Sequence, residues 1–368
     1  MNSKRPPYTQ SNDMKARHFT YVSHPARVIF GSGTVGQLPD EVDRLNAQRA
    51  LILSTAAQQG DAEALADRLG PRVAGIFPGA VMHTPVEVSV LATERARELG
   101  ADVLVALGGG STTGLAKAIA LRTDLPQIIL PTTYAGSEMT PILGETSDGQ
   151  KRTQSSPKVL PEVVIYDVDL TLGLPVGLSG TSGINAIAHA VEALYARDRN
   201  PVIEALAIEA IGALARALPR IVAAPRDPAA RSEALYGAWL CGVCLGSVGM
   251  ALHHKLCHTL GGSFDLPHAE THTVVLPHAL AYNAPAIPDA MAALVRVLGP
   301  DPAAALFALG RKVGAPAGLA ALGMPTDGVD RAVDLALSNP YWNPQPLERA
   351  GLRDLIARAC DGGPPRSL

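Results

Sequence analysis

Histidines are concentrated in one short part of this 368-residue chain. Six of its ten histidines lie between positions 253 and 278, and a seventh, His189, lies upstream on a segment with helical periodicity. His254 and His258 are four residues apart, so they share one face of a helix, and His268 follows a loop. Histidines that converge in this way form either a metal site or a group of proton donors.

Asn185 helps to decide between these two kinds of site. It lies four residues before His189, so the two side chains share a helix face. A carboxylate there would complete an anionic set of four metal ligands, whereas an amide brings no charge. Three neutral histidines can still hold zinc, but loss of the anion should weaken the affinity for a metal ion. We therefore expect metal-independent catalysis, with bound zinc or iron left open as an alternative. The candidate catalytic residues are His258, His254, His189, His268 and Asn185.

A glycine turn in the first half of the chain indicates phosphate binding. Residues 106–117 have the pattern of a strand, three consecutive glycines and the start of a helix. Without β-carbons, Gly108, Gly109 and Gly110 let a bulky anion approach free N–H groups and the positive end of a helix. Ser111 follows directly and belongs to the same candidate site. The pattern differs from the usual G-x-G-x-x-G fingerprint, so a purely structural turn is the alternative.

A second loop, residues 131–140, follows the next predicted strand and is rich in hydroxyl side chains. Because it lies beside the glycine turn in a doubly wound sheet, we expect Thr132, Thr133 and Ser137 to contact ribose or phosphate. An ordinary turn or helix cap is the alternative. The end of the predicted strand 50–54 carries neither an acidic residue nor an arginine, so we expect weak discrimination between NADH and NADPH.

Two kinds of sequence pattern divide the chain. Short apolar runs alternate with amphipathic segments in the first half, which predicts a parallel, doubly wound sheet. The predicted strands are 50–54, 73–77, 102–107, 127–130 and 163–166, with helices over 61–69 and 86–99. Beyond Pro175, alanine and leucine dominate, and helical patterns run through 183–196, 202–222 and 228–260 and continue to Ala359. We therefore predict a disordered leader over 1–16, a dinucleotide-binding α/β domain over 17–175 and an all-α catalytic and substrate domain over 176–368.

Composition excludes several classes of protein. The formal net charge of −3 gives no overall attraction to nucleic acid or to an anionic membrane. No run of about 20 apolar residues predicts a membrane span, and the polar start lacks the apolar core of a secretory signal. The chain has four cysteines, and we interpret the Cys241–Cys244 pair as buried thiols on one helix face. Few cysteines and no signal predict a cytoplasmic enzyme.

Taken in order, these motifs resemble the iron-containing alcohol dehydrogenase superfamily, which shares its fold with the dehydroquinate synthases. The resemblance covers nearly everything from Phe19 to Ala359 and implies a Rossmann-like domain followed by a helical domain. It implies that the glycine turn binds the cofactor pyrophosphate and that Lys158 matches a lysine that commonly reaches the cofactor. It also places His189, His254 and His268 on three metal-ligand positions and His258 on the active-site histidine.

Two departures from the superfamily resemble its maleylacetate reductase branch. Asn185 stands where an aspartate is usual, and the glycine loop lacks an aspartate near Gly114. Segments 19–21, 27–33, 82–85, 253–258 and 339–344 also resemble this branch. The resemblance implies an NADH- or NADPH-dependent reduction of the carbon–carbon double bond of maleylacetate, yielding 3-oxoadipate in the degradation of aromatic compounds. It implies a homodimer that binds a small dicarboxylate and neither nucleic acid nor membrane.

The chemistry of that reaction suits the residues. Hydride delivered to the alkene carbon β to a ketone produces an enolate, which a hydrogen-bond donor or a cation can stabilise. Imidazoles at His254 and His258 can provide this stabilisation and a proton, and Lys255 could attract a carboxylate. The alternatives are a metal-dependent alcohol, lactaldehyde or glycerol-type dehydrogenase, and a nucleotide-binding protein that has lost catalysis.

Overall fold

The computed structural model describes residues 19–24, 26–147, 150–325 and 327–366. The leader predicted over residues 1–16 lies outside these ranges. The predicted domain division after Pro175 stays a prediction. The last strand of the first half ends at Asp167, and the first long helix of the second half begins at Val176.

The first half of the chain forms a parallel sheet from short runs of β-branched residues and leucine. The strands in chain order are β1 (Arg27–Gly31), β2 (Ala50–Leu53), β3 (Val73–Phe77), β4 (Val103–Gly108), β5 (Gln127–Pro131), β6 (Ile142–Ser147), β7 (Gln150–Ser155) and β8 (Val163–Asp167). Within the described residues, six of them make one sheet in the order β1-β8-β5-β4-β2-β3, and β6 and β7 pair as an antiparallel hairpin. All neighbours in the large sheet are parallel. The predicted doubly wound sheet is confirmed.

Helices cover both faces of this sheet. They are α1 (Leu38–Arg44), α2 (Gln59–Leu69), α3 (Val86–Glu98) and α4 (Gly110–Thr123). Side chains alternate between the two faces of each strand. In β4, Val105 packs in the core formed with α1 and α2, whereas Leu104 packs in the core formed with α3 and α4. Because both faces are covered, the central strands are apolar throughout, as in other parallel sheets.

The sequence analysis missed β1 and the β6–β7 hairpin. β1 lies at the edge of the sheet and is only partly buried, so it lacks the continuous apolar run of β4 and β5. The hairpin strand β7 consists of polar residues, and nothing in its composition indicates a strand.

The second half of the chain is helical, as predicted. The helices are α5 (Val176–Tyr195), α6 (Pro201–Ala223), α7 (Pro228–Ser247), α8 (Leu252–Phe264), α9 (His268–Asn283), α10 (Pro288–Leu298), α11 (Pro302–Lys312), α12 (Gly328–Ser338) and α13 (Arg349–Asp361). Helices α6, α7 and α11 begin with proline after Asn200, Asp227 and Asp301, whose side chains accept a hydrogen bond from the first turn. From Ser179 onward α5 is buried on all sides, which makes it the central helix of this domain.

The continuous helix predicted over 228–260 is wrong, because α7 and α8 are separate helices bent by 94°. Val248 adopts an extended conformation after α7, and the N–H of Gly249 donates to Asp198 Oδ1 at 3.0 Å. Residues 248–251 are small or apolar, so their composition resembles that of the helices on either side. The bend directs the histidines of α8 towards α5.

Arg231 ties the helical half to the sheet half. Its guanidinium is fully buried and donates to the Leu174 carbonyl at 2.8 Å, Ser179 Oγ at 2.7 Å and the Tyr134 hydroxyl at 3.3 Å. Tyr134 belongs to the hydroxyl-rich loop after β5. The cofactor loop predicted from the sequence is therefore held against the helical half of the chain.

The predicted burial of Cys241 and Cys244 is confirmed, and Cys257 and Cys360 are also buried and free. Among the described helices, none has by itself the length and apolar composition needed to cross a bilayer. The bent pairs α7–α8 and α10–α11 reach that threshold only when each pair is counted together.

Candidate active site

The glycine turn after β4 has the geometry of an anion cradle. Gly108 has a φ of +150°, and a β-carbon added there would lie 2.4 Å from Thr112 Oγ1. A β-carbon on Gly109 would lie 2.9 Å from Thr133 Oγ1, which belongs to the hydroxyl-rich loop. Only glycine therefore fits between the two loops. Gly110 and Ser111 form the first turn of α4, whose N–H groups have no partners within the helix.

The hydroxyl-rich loop lies beside this turn, as predicted from the order of the strands. The N–H of Thr132 donates to the Gly108 carbonyl at 3.0 Å. Gln58 Nε2 donates to Thr132 Oγ1 at 3.1 Å, and Gln58 Oε1 accepts from the Thr55 hydroxyl at 3.1 Å. The sequence analysis missed Gln58, although its position just after β2 at the carboxyl edge of the sheet could have indicated it.

A buried lysine holds the shape of the hydroxyl-rich loop. Lys117 Nζ donates to the backbone carbonyls of Ser137 at 2.5 Å, Thr140 at 2.6 Å and Ile142 at 2.9 Å. Burial lowers the pKa of Lys117 to about 7. Because α4 carries both this lysine and the glycine turn, the two cofactor loops are fixed relative to each other. Ser137 thus lies in a constrained loop, and its hydroxyl has no hydrogen-bond partner among the described residues.

The structure does not bring Lys158 to these loops, so that sequence prediction is corrected. Lys158 Nζ lies 3.3 Å from Asp124 Oδ2, at the C-terminal end of α4. The glycine turn lies at the opposite end of this 14-residue helix, about 20 Å away. The exposed ion pair between Lys158 and Asp124 contributes at most about 1 kcal/mol to the free energy of unfolding.

Helices α5, α8 and α9 bring the predicted catalytic side chains together. Asn185 and His189 are buried on successive turns of α5, His254 is buried on α8, and His258 is exposed one turn further on. The ring centroids of His189 and His254 are 5.1 Å apart, and those of His254 and His258 are 6.2 Å apart. His268 is exposed at the first turn of α9. The structure is therefore consistent with the prediction that His254 and His258, four residues apart, share one face of α8.

The histidine cluster adjoins the cofactor loops. His189 Nδ1 lies 3.6 Å from the position that a β-carbon would take on Gly136, in the hydroxyl-rich loop. Gly136 also contacts α7, because a β-carbon on Gly242 would lie 2.8 Å from the Gly136 carbonyl oxygen. This close approach places the hydroxyl-rich loop, which is bonded to the glycine turn, beside the helix that carries His189.

Glu192 is a second residue of the candidate site that the sequence analysis missed. It is fully buried on α5, and its carboxylate accepts from the N–H of Ala251 at 2.8 Å, the N–H of His253 at 2.7 Å and His254 Nδ1 at 2.7 Å. It therefore caps the N-terminus of α8 and fixes the ring of His254. A carboxylate accepts only, so Nδ1 carries the proton and Nε2 is left for a ligand. The Asn185-His189-Glu192 spacing, on successive turns of one apolar helix, was the available signal.

A second group of side chains lies behind His254. His253 Nε2 lies 3.0 Å from His272 Nδ1, and Cys257 Sγ lies 3.7 Å from His253 Nε2. All three are buried. This hydrogen bond within the core is consistent with a structural role for His272. The ring of His272 also lies 4.2 Å from that of His268, so the pair supports the first turn of α9.

The donors at the superfamily's metal position do not fit a tightly held divalent ion. Asn185 Oδ1, His189 Nδ1 and His254 Nε2 are buried without a hydrogen-bond partner among the described residues, but none of them carries a negative charge. The nearby carboxylate of Glu192 is already used by three N–H groups. In the part of the chain that the structure describes, the trio with donor atoms within 4.8 Å of one another is His253, Cys257 and His272, a different set. These three atoms are therefore available to a polar ligand.

The buried histidines predict that stability falls in mild acid. Burial lowers the pKa of His189, His253 and His272 well below the ordinary value, and lowers that of His278 to about 4. The unfolded chain takes up these protons near pH 6.5 and the folded chain only at lower pH, so the free energy of unfolding decreases as the pH falls below about 7. Denaturant titrations between pH 7.5 and 4.5 test this expectation.

His278→Leu provides the matched control for this pH dependence. The variant lacks the proton that His278 takes up when the chain unfolds. The slope of the free energy of unfolding against pH, between pH 6 and 4.5, should therefore decrease by about 1.4 kcal/mol per pH unit. An unchanged slope would show that His278 titrates normally in the folded protein.

Comparison with known proteins shows which family this chain belongs to. The chain matches the family described as iron-containing alcohol dehydrogenase over residues 25–168, and the C-terminal part of the Fe-containing alcohol dehydrogenase family over residues 179–360. It is 58% identical to a maleylacetate reductase of Rhizobium sp. (strain MTP-10005) and 56% identical to one of Sphingobium indicum, over 94% of this chain and 99% of each relative. A crystal structure of maleylacetate reductase from Agrobacterium tumefaciens is similar with a TM-score of 0.92 at 57% identity, covering 95% of this chain and 100% of that one.

Proposed function

Because this chain belongs to the maleylacetate reductase branch of the iron-containing alcohol dehydrogenase family, we propose that it reduces the carbon–carbon double bond of maleylacetate to 3-oxoadipate with NADH or NADPH. It is an oxidoreductase, and the prediction of this branch over an alcohol dehydrogenase is confirmed by its relatives. The remaining proposals concern the cofactor, the metal and the roles of single residues.

The cofactor pyrophosphate would lie on the glycine turn, at the N-terminus of α4. Its ribose and phosphate groups would contact Thr132, Thr133 and Ser137. The observation that supports this orientation is the approach of His189 to Gly136, which connects the hydroxyl-rich loop to the histidines. The nicotinamide would therefore lie over the histidine cluster, where its hydride can reach a bound substrate.

The residues of the cluster suit enolate chemistry. A hydride from the nicotinamide would form a C–H bond at the carbon β to the ketone, and the electrons of the double bond would move to the ketone oxygen. As an imidazolium ion paired with the Glu192 carboxylate, His254 would donate from Nε2 to the enolate oxygen. His258 would then deliver a proton to the α carbon, which completes the addition of two hydrogens across the double bond. Lys255 follows His254 on α8 and could attract a substrate carboxylate.

We propose that no metal ion is required, because the amide of Asn185 brings no charge to the ligand position. Dialysis against EDTA should leave the turnover of maleylacetate unchanged, and near-stoichiometric iron or zinc should be absent from the dialysed protein. A metal-dependent relative treated in parallel shows that the chelation works. Loss of activity that iron or zinc restores would contradict this proposal.

The central experiment is a spectrophotometric assay with freshly prepared maleylacetate and NADH or NADPH. We expect oxidation of the reduced cofactor and formation of 3-oxoadipate. The ratio of kcat/KM with NADH to kcat/KM with NADPH measures the preference for one cofactor. We expect a weak preference, because the end of β2 carries neither an acidic residue nor an arginine. Good activity on simple alcohols without turnover of maleylacetate would overturn the assignment.

We also propose a cytoplasmic homodimer with no nucleic-acid or membrane partner. β1 forms an edge of the large sheet, and Phe19, Tyr21 and Val22 near it are exposed. An unpaired edge beside apolar side chains favours contact with a second copy. Light scattering during size-exclusion chromatography should give a mass near twice 38.3 kDa, and a monomer would contradict the proposal.

A further inference from the structure

Oxygen atoms of the hydroxyl-rich loop and of β6 enclose the side-chain nitrogen of Lys117. Its Nζ lies 2.5 Å from the carbonyl oxygen of Ser137, 2.6 Å from that of Thr140 and 2.9 Å from that of Ile142. Thr140 Oγ1 is a fourth neighbour at 3.0 Å, and its own hydrogen is donated to the Ser137 carbonyl. Lys117 is only 1% exposed. All four oxygens therefore present lone pairs to one buried nitrogen.

Only the protonated form of Lys117 matches this arrangement. An ammonium group has three N–H donors, one for each carbonyl. A neutral amine has two N–H donors and one lone pair, so one carbonyl oxygen would face that lone pair without a hydrogen bond. A buried carbonyl that lacks its donor costs about 1–3 kcal/mol. Residues 137–142 should therefore leave this conformation when Lys117 loses its proton.

The surroundings of Lys117 allow the proton to leave near neutral pH. Burial lowers the pKa of Lys117 to about 7, and the negative charge of Glu138 opposes this change. The Tyr166 hydroxyl of β8 donates to Glu138 Oε1 at 2.8 Å and holds this buried side chain in place. On the other side of the loop, burial lowers the pKa of His189, which keeps that imidazole neutral.

The other described charged groups on elements packed against α4 and the loop have partners of their own. Glu145 of β6 pairs with Arg122 at 2.8 Å. Lys158 pairs with Asp124 at 3.3 Å, at the far end of α4. Arg231 of α7 donates to a hydroxyl and to backbone carbonyls, and the charged side chains of α3 are exposed. The carboxyl group of the loop, at position 138, is therefore the charge that matters for the protonation of this lysine.

The residues around Lys117 also form part of the proposed cofactor site. The Ser137 hydroxyl is buried without a hydrogen-bond partner among the described residues, and the N–H of Thr132 bonds the loop to the Gly108 carbonyl. We propose that Lys117 is a positioning residue for the cofactor: its ammonium form holds the loop in the conformation that binds NADH, so NADH binding above pH 7 takes up a proton from solvent. This inference rests on the proposed binding of NADH at the glycine turn.

The coupling between the proton and the cofactor is reciprocal. Because NADH binds the ammonium form more tightly, the bound cofactor raises the pKa of Lys117, and a rise in pH weakens the binding of NADH. The Kd of NADH should increase about tenfold between pH 7 and 9. NADH is a suitable probe because its pyrophosphate keeps a constant charge in this range, in which an ordinary imidazole is already neutral.

Isothermal titration calorimetry in two buffers with different enthalpies of ionisation measures the proton uptake. The wild type should take up about half a proton or more per NADH at pH 8. Lys117→Met should take up none, and its Kd for NADH should be raised about tenfold at pH 7 and should not change with pH. Lys312→Met, the same change at an exposed lysine of α11, is the control and should behave as the wild type. NADH binding without proton uptake in the wild type, or equal uptake in Lys117→Met, would overturn the proposal.

Glu138→Gln is a milder variant, because it leaves the donors of Lys117 in place. Glutamine retains an acceptor for the Tyr166 hydroxyl but removes the negative charge that favours the ammonium form. The increase in the Kd of NADH should therefore begin about one pH unit lower than in the wild type. At saturating NADH, kcat with maleylacetate should change little, as expected for a residue that acts on cofactor binding. An unchanged pH profile in folded Glu138→Gln would contradict the proposal.

Carbon NMR of protein with isotopically labelled lysine reads the proton on Lys117 without turnover. One signal, absent from Lys117→Met, should titrate near pH 7 in the cofactor-free protein and at higher pH with NADH bound. The same titration with and without bound NADH would refute the coupling and leave the cofactor site unaffected. Absence of NADH binding would instead refute the proposed cofactor site, and with it both the proposed function and this inference.

Discussion

Glu192→Gln is expected to lower kcat about 100-fold or more, while the affinity for NADH changes little. The carboxylate accepts three N–H groups, from Ala251, His253 and His254. Glutamine has one acceptor oxygen and one NH₂ group, so it cannot accept all three. If its NH₂ group faces His254, it donates to Nδ1, and the ring then cannot hold the second proton that makes it an imidazolium ion. A comparable exchange of a buried aspartate for asparagine beside a catalytic histidine costs about 10⁴-fold in kcat in a serine protease.

The measurement must separate this effect from a loss of folding. Glu192 also caps α8, so the variant should lose about 2 kcal/mol of stability. Circular dichroism and the fluorescence titration of NADH show whether the folded cofactor site is retained. Glu204→Gln, an exposed change of the same type on α6, is the control and should behave as the wild type. Near-normal kcat in folded Glu192→Gln would show that the orientation of His254 does not limit the reaction.

Gly109→Val is expected to raise the KM for NADH about 100-fold, which corresponds to a loss of about 3 kcal/mol of binding. The backbone of Gly109 has a φ of −91° and a ψ of −155°, which any residue can adopt. The effect therefore comes from lost space rather than from backbone strain. The new β-carbon would lie 2.9 Å from Thr133 Oγ1 and would separate the two loops that hold the cofactor.

Gly177→Val is the control for this substitution. A β-carbon on Gly177, in the first turn of α5, meets no heavy atom within 4 Å, so the variant should bind NADH normally. Steady-state kinetics at saturating maleylacetate measures the KM for NADH in both variants. If Gly109→Val binds NADH as tightly as Gly177→Val, the pyrophosphate does not lie on this turn.

Local patterns were sufficient to predict several parts of the fold. The strand that ends at Gly108 was predictable because its apolar run ends in glycines, and both signals are local. β1 was missed because an edge strand buries only part of each residue. The bend between α7 and α8 was missed because it depends on Asp198, about 50 residues earlier in the chain, which accepts from Gly249.

The candidate site also contains residues that local patterns predicted and residues that they did not. Spacing of four residues on one helix was sufficient to place Asn185 with His189, and His254 with His258. Lys158 was assigned from the resemblance alone, and it lies away from the cofactor loops because the turn after β7 packs at the C-terminal end of α4. Glu192 was missed because it acts on a histidine 62 residues further along the chain.

The amino-acid sequence by itself determined the chemistry available to this protein: imidazoles without a metal-binding carboxylate, and a glycine turn at the end of a strand. Residue type and spacing along one helix or strand suffice for that, because they depend on local geometry alone. The tertiary structure decided how the ring of His254 is held. The position of the ring proton is set by its hydrogen-bond partner, and Glu192 reaches His254 only when α5 and α8 pack together.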